Sequence, residues 1–291
     1  MSRHTLALAA AALTICVAPA AHAHGFAGNR FFPGTIAVED PAAADELALP
    51  TFSSQDGENE YEIEWGKRIT PHVAFSLGSA YVDSDEEGSG WSNLATGLKW
   101  QFLTDAQSET MMSVGIEAEW KNTGSANIRE DHTTVAPALY FGHGFGNAGA
   151  DWVKPFAVTG SLEYAMPAQS RDDNGDRIPS ALGYGLTIQY SMPYLAAHVH
   201  DYGYPDWVNQ LTPLVEFTVD QPVRHRGEER TTGTINPGVL WTGRHVQLGG
   251  EAIIPINGDS GHSVGFALQL HIFVDDLFSH SLGRPVFGAN N

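Results

Sequence analysis

Residues 111–121 read MMSVGIEAEWK, with hydrophobic and polar side chains taking turns. Met112, Val114, Ile116, Ala118 and Trp120 fall on one face, and Ser113, Gly115, Glu117, Glu119 and Lys121 on the other. Alternate residues of a strand point to opposite faces, so a period of two predicts a strand with one oily and one polar face. The pattern recurs along the chain. Tyr61, Ile63 and Trp65 alternate with Glu60, Glu62 and Glu64, and Leu94, Leu98, Trp100 and Phe102 alternate with Asn93, Lys99 and Gln101. Phe156, Val158, Leu162 and Tyr164 alternate with Thr159, Ser161 and Glu163. The longest oily face is Leu182, Tyr184, Leu186, Ile188, Tyr190 and Met192, with Gly183, Gly185, Thr187 and Gln189 among its alternates. Similar runs lie near Val73–Tyr81, Val135–Phe141, Val215–Val219, Ile235–Trp241, Val246–Ile256 and Val264–Val274. These make eleven predicted strands, and a weaker twelfth over Glu46–Ser53 is interrupted by Pro50.

The breaks between strands alternate in length. Ile69-Thr70, 104–107, 146–149 and Thr242-Gly243 are tight, whereas 83–90, 122–130, 167–177 and 221–231 are longer and polar. Membrane barrels have short turns at one end and longer loops at the other. The stretch 192–209 is a long link where that rule expects a short one, and it has room for a short helix.

Two architectures share this alternation. A soluble sandwich turns its oily faces inward against each other, and a membrane barrel turns them out to lipid. Many polar alternates here are small, and few are lysines. Runs of ten or so residues exceed the usual soluble strand and match the roughly 9–11 needed to cross a membrane at a tilt. Trp65, Trp100, Trp120, Tyr164 and Trp241 sit near strand ends, where an interfacial girdle belongs. The expected fold is therefore all-β: a closed antiparallel transmembrane β-barrel of about 12 strands over residues 45–274.

The chain start supports export. Arg3 and His4 precede an apolar run from Leu6 to Val17, and Ala21-His22-Ala23 forms a small-residue cleavage site. Residues 1–23 are thus expected to be a signal peptide cleaved after Ala23, leaving His24 first. The apolar run is too short for a membrane helix. The only cysteine, Cys16, lies in that leader, so the mature chain can form neither a disulfide nor a thiolate metal site. Removing the leader takes away Arg3 and no acid, so 14 basic residues against 34 acidic ones leave a net charge of −20. Such a charge argues against nucleic acid as a partner. Residues 24–44 lack periodicity and are expected to be an N-terminal periplasmic segment, with 275–291 a C-terminal tail.

Several segments carry a family resemblance. Ile69-Thr70-Pro71 after a strand, Lys99-Trp100-Gln101-Phe102-Leu103-Thr104, Pro155-Phe156-Ala157-Val158-Thr159-Gly160, Thr232-Gly233-Thr234-Ile235-Asn236-Pro237-Gly238 and Asp275-Asp276-Leu277-Phe278 resemble a family of proteobacterial outer-membrane barrels. That family is named after the meta-pathway of phenol degradation and is widely labelled as transporters. The likeness covers most of the mature chain. It implies an outer-membrane location and an aromatic or other hydrophobic solute. One departure stands out: such barrels commonly end on an aromatic residue closing the last strand, and here a tail follows with Phe287 near its end.

The polar faces supply the candidate site. Glu62, Glu64, Lys99, Gln101, Glu117, Glu119, Glu163, Gln189, Glu216, Glu251, Gln269 and His271 are expected to line the lumen. Carboxylates in a channel favour cations, whereas in a filled barrel the same residues are paired and structural. The acidic stretches 83–90 and 171–177 do not match a calcium loop and read as solvated loops. A free N-terminal His24 raises the prospect of copper binding, but no second ligand stands near it. Ser263 beside His262 is a mere neighbour, and G-x-S-x-G is absent, so no enzyme and no cofactor are expected. Three readings follow: a channel or transporter for small molecules, a non-conducting structural or surface-interaction barrel, and a secreted soluble β-sandwich that binds ligands. For either barrel the expected partners are outer-membrane lipid and the barrel-assembly machinery, with a small-molecule solute for the channel.

Overall fold

The structure is a computed structural model and describes residues 25–224 and 230–288. The leader, its cleavage site and His24 lie outside the described residues. A two-residue-per-strand hairpin comes first, β1 (Phe26–Ala27) and β2 (Arg30–Phe31). Next come β3 (Glu46–Gln55), β4 (Glu58–Thr70), β5 (Val73–Ser84), a short β6 (Gly88–Trp91), β7 (Leu94–Asp105), β8 (Thr110–Trp120) and β9 (Thr134–Gly144). The series ends with β10 (Phe156–Pro167), β11 (Ser180–Tyr190), β12 (Leu211–Arg224), β13 (Thr232–Thr242), β14 (Val246–Pro255) and β15 (Gly265–Phe273).

Omitting the hairpin and β6, twelve strands pair antiparallel in a closed ring. Each pairs with the next, and β15 returns to β3, with Phe266 opposite Ser54 and Phe273 opposite Glu46. Closure leaves no unpaired edge, which a strand in hydrocarbon requires. The weak strand at Glu46–Ser53 is thus the one that closes the barrel. Its ladder with β4 shifts between Ala48 and Thr51, so Pro50, which has no N–H to give, sits in the irregularity.

Burial settles which way the oily faces point. Trp100, Ile116 and Leu268 on the outer face are 54%, 49% and 52% exposed, whereas Glu216, Gln247 and Thr187 on the inner face are fully buried. A sandwich that hid its oily faces would show the reverse. The soluble reading is therefore wrong: a wall this apolar is stable facing lipid, not water.

The turns define two ends. Residues 71–72, 106–109, 145–155, 191–210 and 243–245 connect strands at one end, called here the short-turn end. Residues 85–93, 121–133 and 168–179 are among the longer loops at the other. Three connections break the alternation. Asp56 and Gly57, both at positive φ, make a tight hairpin at the long-loop end, and 191–210 holds short helical turns at the short-turn end. The break expected to be tight at 146–149 is a longer link, 145–155, because β9 stops at Gly144 and β10 starts only at Phe156.

Residues 32–44 do not form the periplasmic segment that their lack of periodicity suggested. From Phe32 to Ala44 the chain runs inside the barrel, with Phe32, Val38, Ala42, Ala43 and Ala44 buried. Two inward glycines make the room. A Cβ on Gly185 would lie 2.8 Å from a Val38 methyl, and one on Gly142 would lie 3.0 Å from the Phe32 ring. The segment is called the plug below.

Candidate functional site

The expected lumen residues all lie on the inward face of their strands, but the plug divides them into two groups. Toward the short-turn end they hold the plug. Glu216 accepts the backbone N–H groups of Ile36, Ala37 and Val38 at 3.0, 3.1 and 3.0 Å, and the Thr187 hydroxyl at 3.1 Å. Three consecutive amides converge on one carboxylate, a nest for an anion. The Gln101 side chain accepts from the Ala43 N–H at 3.0 Å, and Gln247 donates to the Gly34 carbonyl at 2.6 Å. The Ser113 hydroxyl donates to the Pro41 carbonyl. Lys99 donates to the Asp40 carbonyl at 2.9 Å and pairs with Glu39 at 2.5 Å. These bonds satisfy a stretch of irregular backbone that would otherwise be buried without partners.

The rest of this group sits between plug and wall. His271 is 3.0 Å from the Glu46 carboxylate. Glu251 accepts from Asn236 at 3.1 Å, and Gln269 donates to Thr51 at 3.2 Å. Gln189 is buried on the wall beside Thr187 and the plug's anchor. A cavity of about 90 Å³ remains among Asp40, Glu64, Lys99, Tyr140 and His271.

Toward the long-loop end inward carboxylates line two cavities. Glu60, Glu62, Glu64, Glu117 and Glu119 line a cavity of about 280 Å³. Glu163 and Asp220 line another of about 360 Å³, floored by the plug's Ala37. Glu117 stands within electrostatic reach of Glu62, Glu119, Glu163 and Glu39. Among the described residues no ion pair neutralises Glu60, Glu62, Glu64, Glu117, Glu163 or Asp220. This is the vestibule. Clustered carboxylates in a narrow, low-dielectric wall concentrate cations and exclude anions.

A third group, which the strand pattern did not reveal, roots the plug at the short-turn end. Arg30 is fully buried and pairs with Glu109 at 3.1 Å. It also donates to the carbonyls of Lys154 and Pro155 and lies 3.7 Å from the Tyr194 ring centroid. The Tyr194 hydroxyl donates to Glu109 at 2.8 Å, and Glu109 also accepts the Gly146 N–H at 3.0 Å. Burial and the bond to Glu109 push the Tyr194 phenol up to about 12, so it stays a neutral donor. Four separate stretches meet here: the β1–β2 hairpin, the 106–109 turn, the 145–155 turn and the 191–210 connection. Hydrophobic periodicity carries no sign of them, because three are turns or connections and the hairpin's strands are only two residues long. A lone arginine in a phenylalanine-rich, aperiodic segment was the available clue.

The other candidates resolve into loop structure. The Ser263 hydroxyl donates to Asp56 at 2.6 Å and the His262 N–H to the same carboxylate at 2.7 Å, bracing the β3–β4 hairpin against the β14–β15 loop. Among the described residues no three His, Cys, Asp or Glu side chains are placed to hold a metal ion. The tail is pinned rather than free: Lys67 donates to the Leu282 and Arg284 carbonyls, each at 2.7 Å.

Solved structures share this architecture. The KdgM porin aligns over 78% of this chain and 98% of its own, at 9% identity and a TM-score of 0.50. An outer membrane channel from Pseudomonas putida F1 aligns over 84% of this chain and 99% of its own, at 13% identity and a TM-score of 0.51. At these identities the likeness establishes the shared fold, a closed twelve-stranded barrel. No protein-family model matches the chain, and no curated protein matches it in sequence.

Proposed function

We propose that the chain is an outer-membrane channel for small molecules, narrowed by its own plug, whose vestibule prefers cations. The observation that carries this reading is the vestibule: inward carboxylates open to solvent, without ion-pair partners, leading to a plug that forms no regular element and is held by side chains of the wall. A purely structural filling would pair its charges, because unpaired carboxylates repel one another and destabilise the wall. The likeness to the phenol meta-pathway barrels implies an aromatic or other hydrophobic solute. The vestibule supports a different first choice, a cationic or neutral polar solute, since its walls offer carboxylates and small side chains.

The second reading is a non-conducting barrel, and the plug favours it. Planar-bilayer recording separates the two. The intact protein is expected to pass small currents, and Glu216→Ala, which strips the plug's anchor, larger ones. The reversal potential under a potassium chloride gradient should lie toward the cation side. If neither protein passes ions, the channel reading fails and the structural one stands.

A further inference from the structure

The short-turn end carries exposed rings that neither the lumen nor the barrel wall explains. Trp152 in the 145–155 turn and Tyr202, Tyr204 and Trp207 in the 191–210 connection are all largely exposed. Through Phe156 and Tyr190 they join the outer face, with the charged Asp151, Asp201 and Asp206 exposed among them at the rim. Phe156 and Tyr190 face each other across β10 and β11, with ring centroids 4.8 Å apart. Trp152 meets Phe156 edge-on at 6.4 Å. Tyr190 is within electrostatic reach of Tyr202 and Tyr204, and Tyr202 meets His200 edge-on at 4.5 Å and lies tilted against Tyr204 at 5.8 Å.

A second exposed group lies elsewhere on the same rim. In the tail, Leu277, Phe278, Leu282, Val286 and Phe287 are exposed. The N–H groups of Val286 and Phe287 donate to the carbonyls of Arg68 and Ile69 at 3.1 and 2.8 Å. Lys67, which shares the outer face of β4 with Trp65, reaches the tail's carbonyls. The tail therefore lies against the short-turn end of β4, held by Lys67 from the outer face and by the buried Arg68, which donates to the Gly283 carbonyl at 3.0 Å. In the ring of twelve, β4 and β11 stand six places apart, so the two groups are diametrically opposed.

We propose that the 191–210 connection and the 274–288 tail are two feet that seat in the headgroup layer of the leaflet at the short-turn end. Tryptophan and tyrosine favour that layer, where the ring is dry and its polar edge is wet. Irregular backbone is tolerated there, as it is not in hydrocarbon. Continuity with the lipid-facing wall selects lipid over a soluble partner. Opposed placement lets the pair fix depth and tilt, which a single contact cannot do. The proposal rests on the membrane reading of the barrel and not on conduction, so a silent bilayer leaves it standing.

The test uses the mature chain in phosphatidylethanolamine–phosphatidylglycerol vesicles whose lipids carry bromine near the headgroup or near the chain end. Subtracting the emission of Trp152→Phe/Trp207→Phe from that of the wild type isolates those two rings. Their emission should be quenched at least about twofold by shallow bromine, and little by aqueous iodide. A nitroxide on Phe287→Cys should likewise meet oxygen more readily than a water-soluble nickel chelate. Leu282→Cys takes its place if that variant loses the heat-modifiable mobility of a folded barrel. Iodide quenching without bromine quenching, or a tail label lying in water, would overturn the proposal.

Discussion

Glu216 and Glu117 are the same residue on the same kind of strand face, and they do opposite things. Glu216 is fully buried and collects three plug amides and a hydroxyl. Glu117 is open to the lumen and has carboxylates for neighbours. The difference lies not in the strand but in height along the barrel and in what chain lies opposite. At Glu216's level the plug supplies donors, so the carboxylate stabilises irregular backbone. Above the plug no plug amide reaches the carboxylates, and among the described residues no ion pair neutralises Glu117. Alternation fixes which face a side chain occupies, and only the third dimension fixes its work.

The sharpest way to break this contrast is to remove the anchor. Glu216→Ala deletes the acceptor for three amides. Hydrogen bonds to charged groups contribute about 1.5–3 kcal/mol each, so even partial compensation leaves a loss of about 3 kcal/mol. Amide exchange at residues 35–39 should speed up on the order of 100-fold, since 1.4 kcal/mol is about tenfold. The β12 ladder should remain protected. Exchange unchanged in the plug would mean that Glu216 does not hold it. Crowding the plug is expected to act less strongly. In Gly185→Val the added side chain meets the Val38 methyls. Overpacking of this kind costs about 1–3 kcal/mol, which predicts roughly tenfold faster exchange at Val38 with β11 intact.

The strands, their faces and the closed ring were legible because a lipid-facing wall writes its period of two plainly. Even Glu46–Ser53 was visible despite Pro50, since a single irregularity leaves the flanking alternation in place. The plug was not legible. Residues 32–44 form no regular element, so their burial depends on glycines and acceptors more than a hundred residues away, such as Gly185 and Glu216. The inward Gly183, Gly185 and Thr187 did hint at it: a narrow barrel with a wall this small leaves space that something must fill. The Arg30–Glu109–Tyr194 cluster was hidden for the same reason, being built from turns.

Two milder changes sharpen the contrast from the vestibule and from the root. Glu117→Gln with Glu163→Gln removes two charges where no partner neutralises them. Cation over anion selectivity, read from the reversal potential, should fall by a few fold, roughly the effect of ~1 kcal/mol. Exchange in the plug should not change. If selectivity holds while the plug loosens, the division between vestibule and anchor is wrong. Tyr194→Phe is the smallest. It removes one hydrogen bond to Glu109, worth about 1 kcal/mol, and should speed exchange of the β1–β2 hairpin about fivefold. Glu109 keeps Arg30 and the Gly146 amide, so the root loosens without letting go. Because the phenol holds its proton up to about 12, its bond is present below that value and lost only as pH rises through it. The difference between wild type and variant should therefore be flat from pH 6 to 9. A difference that fades within that window would place a titrating group other than Tyr194 in control of the root.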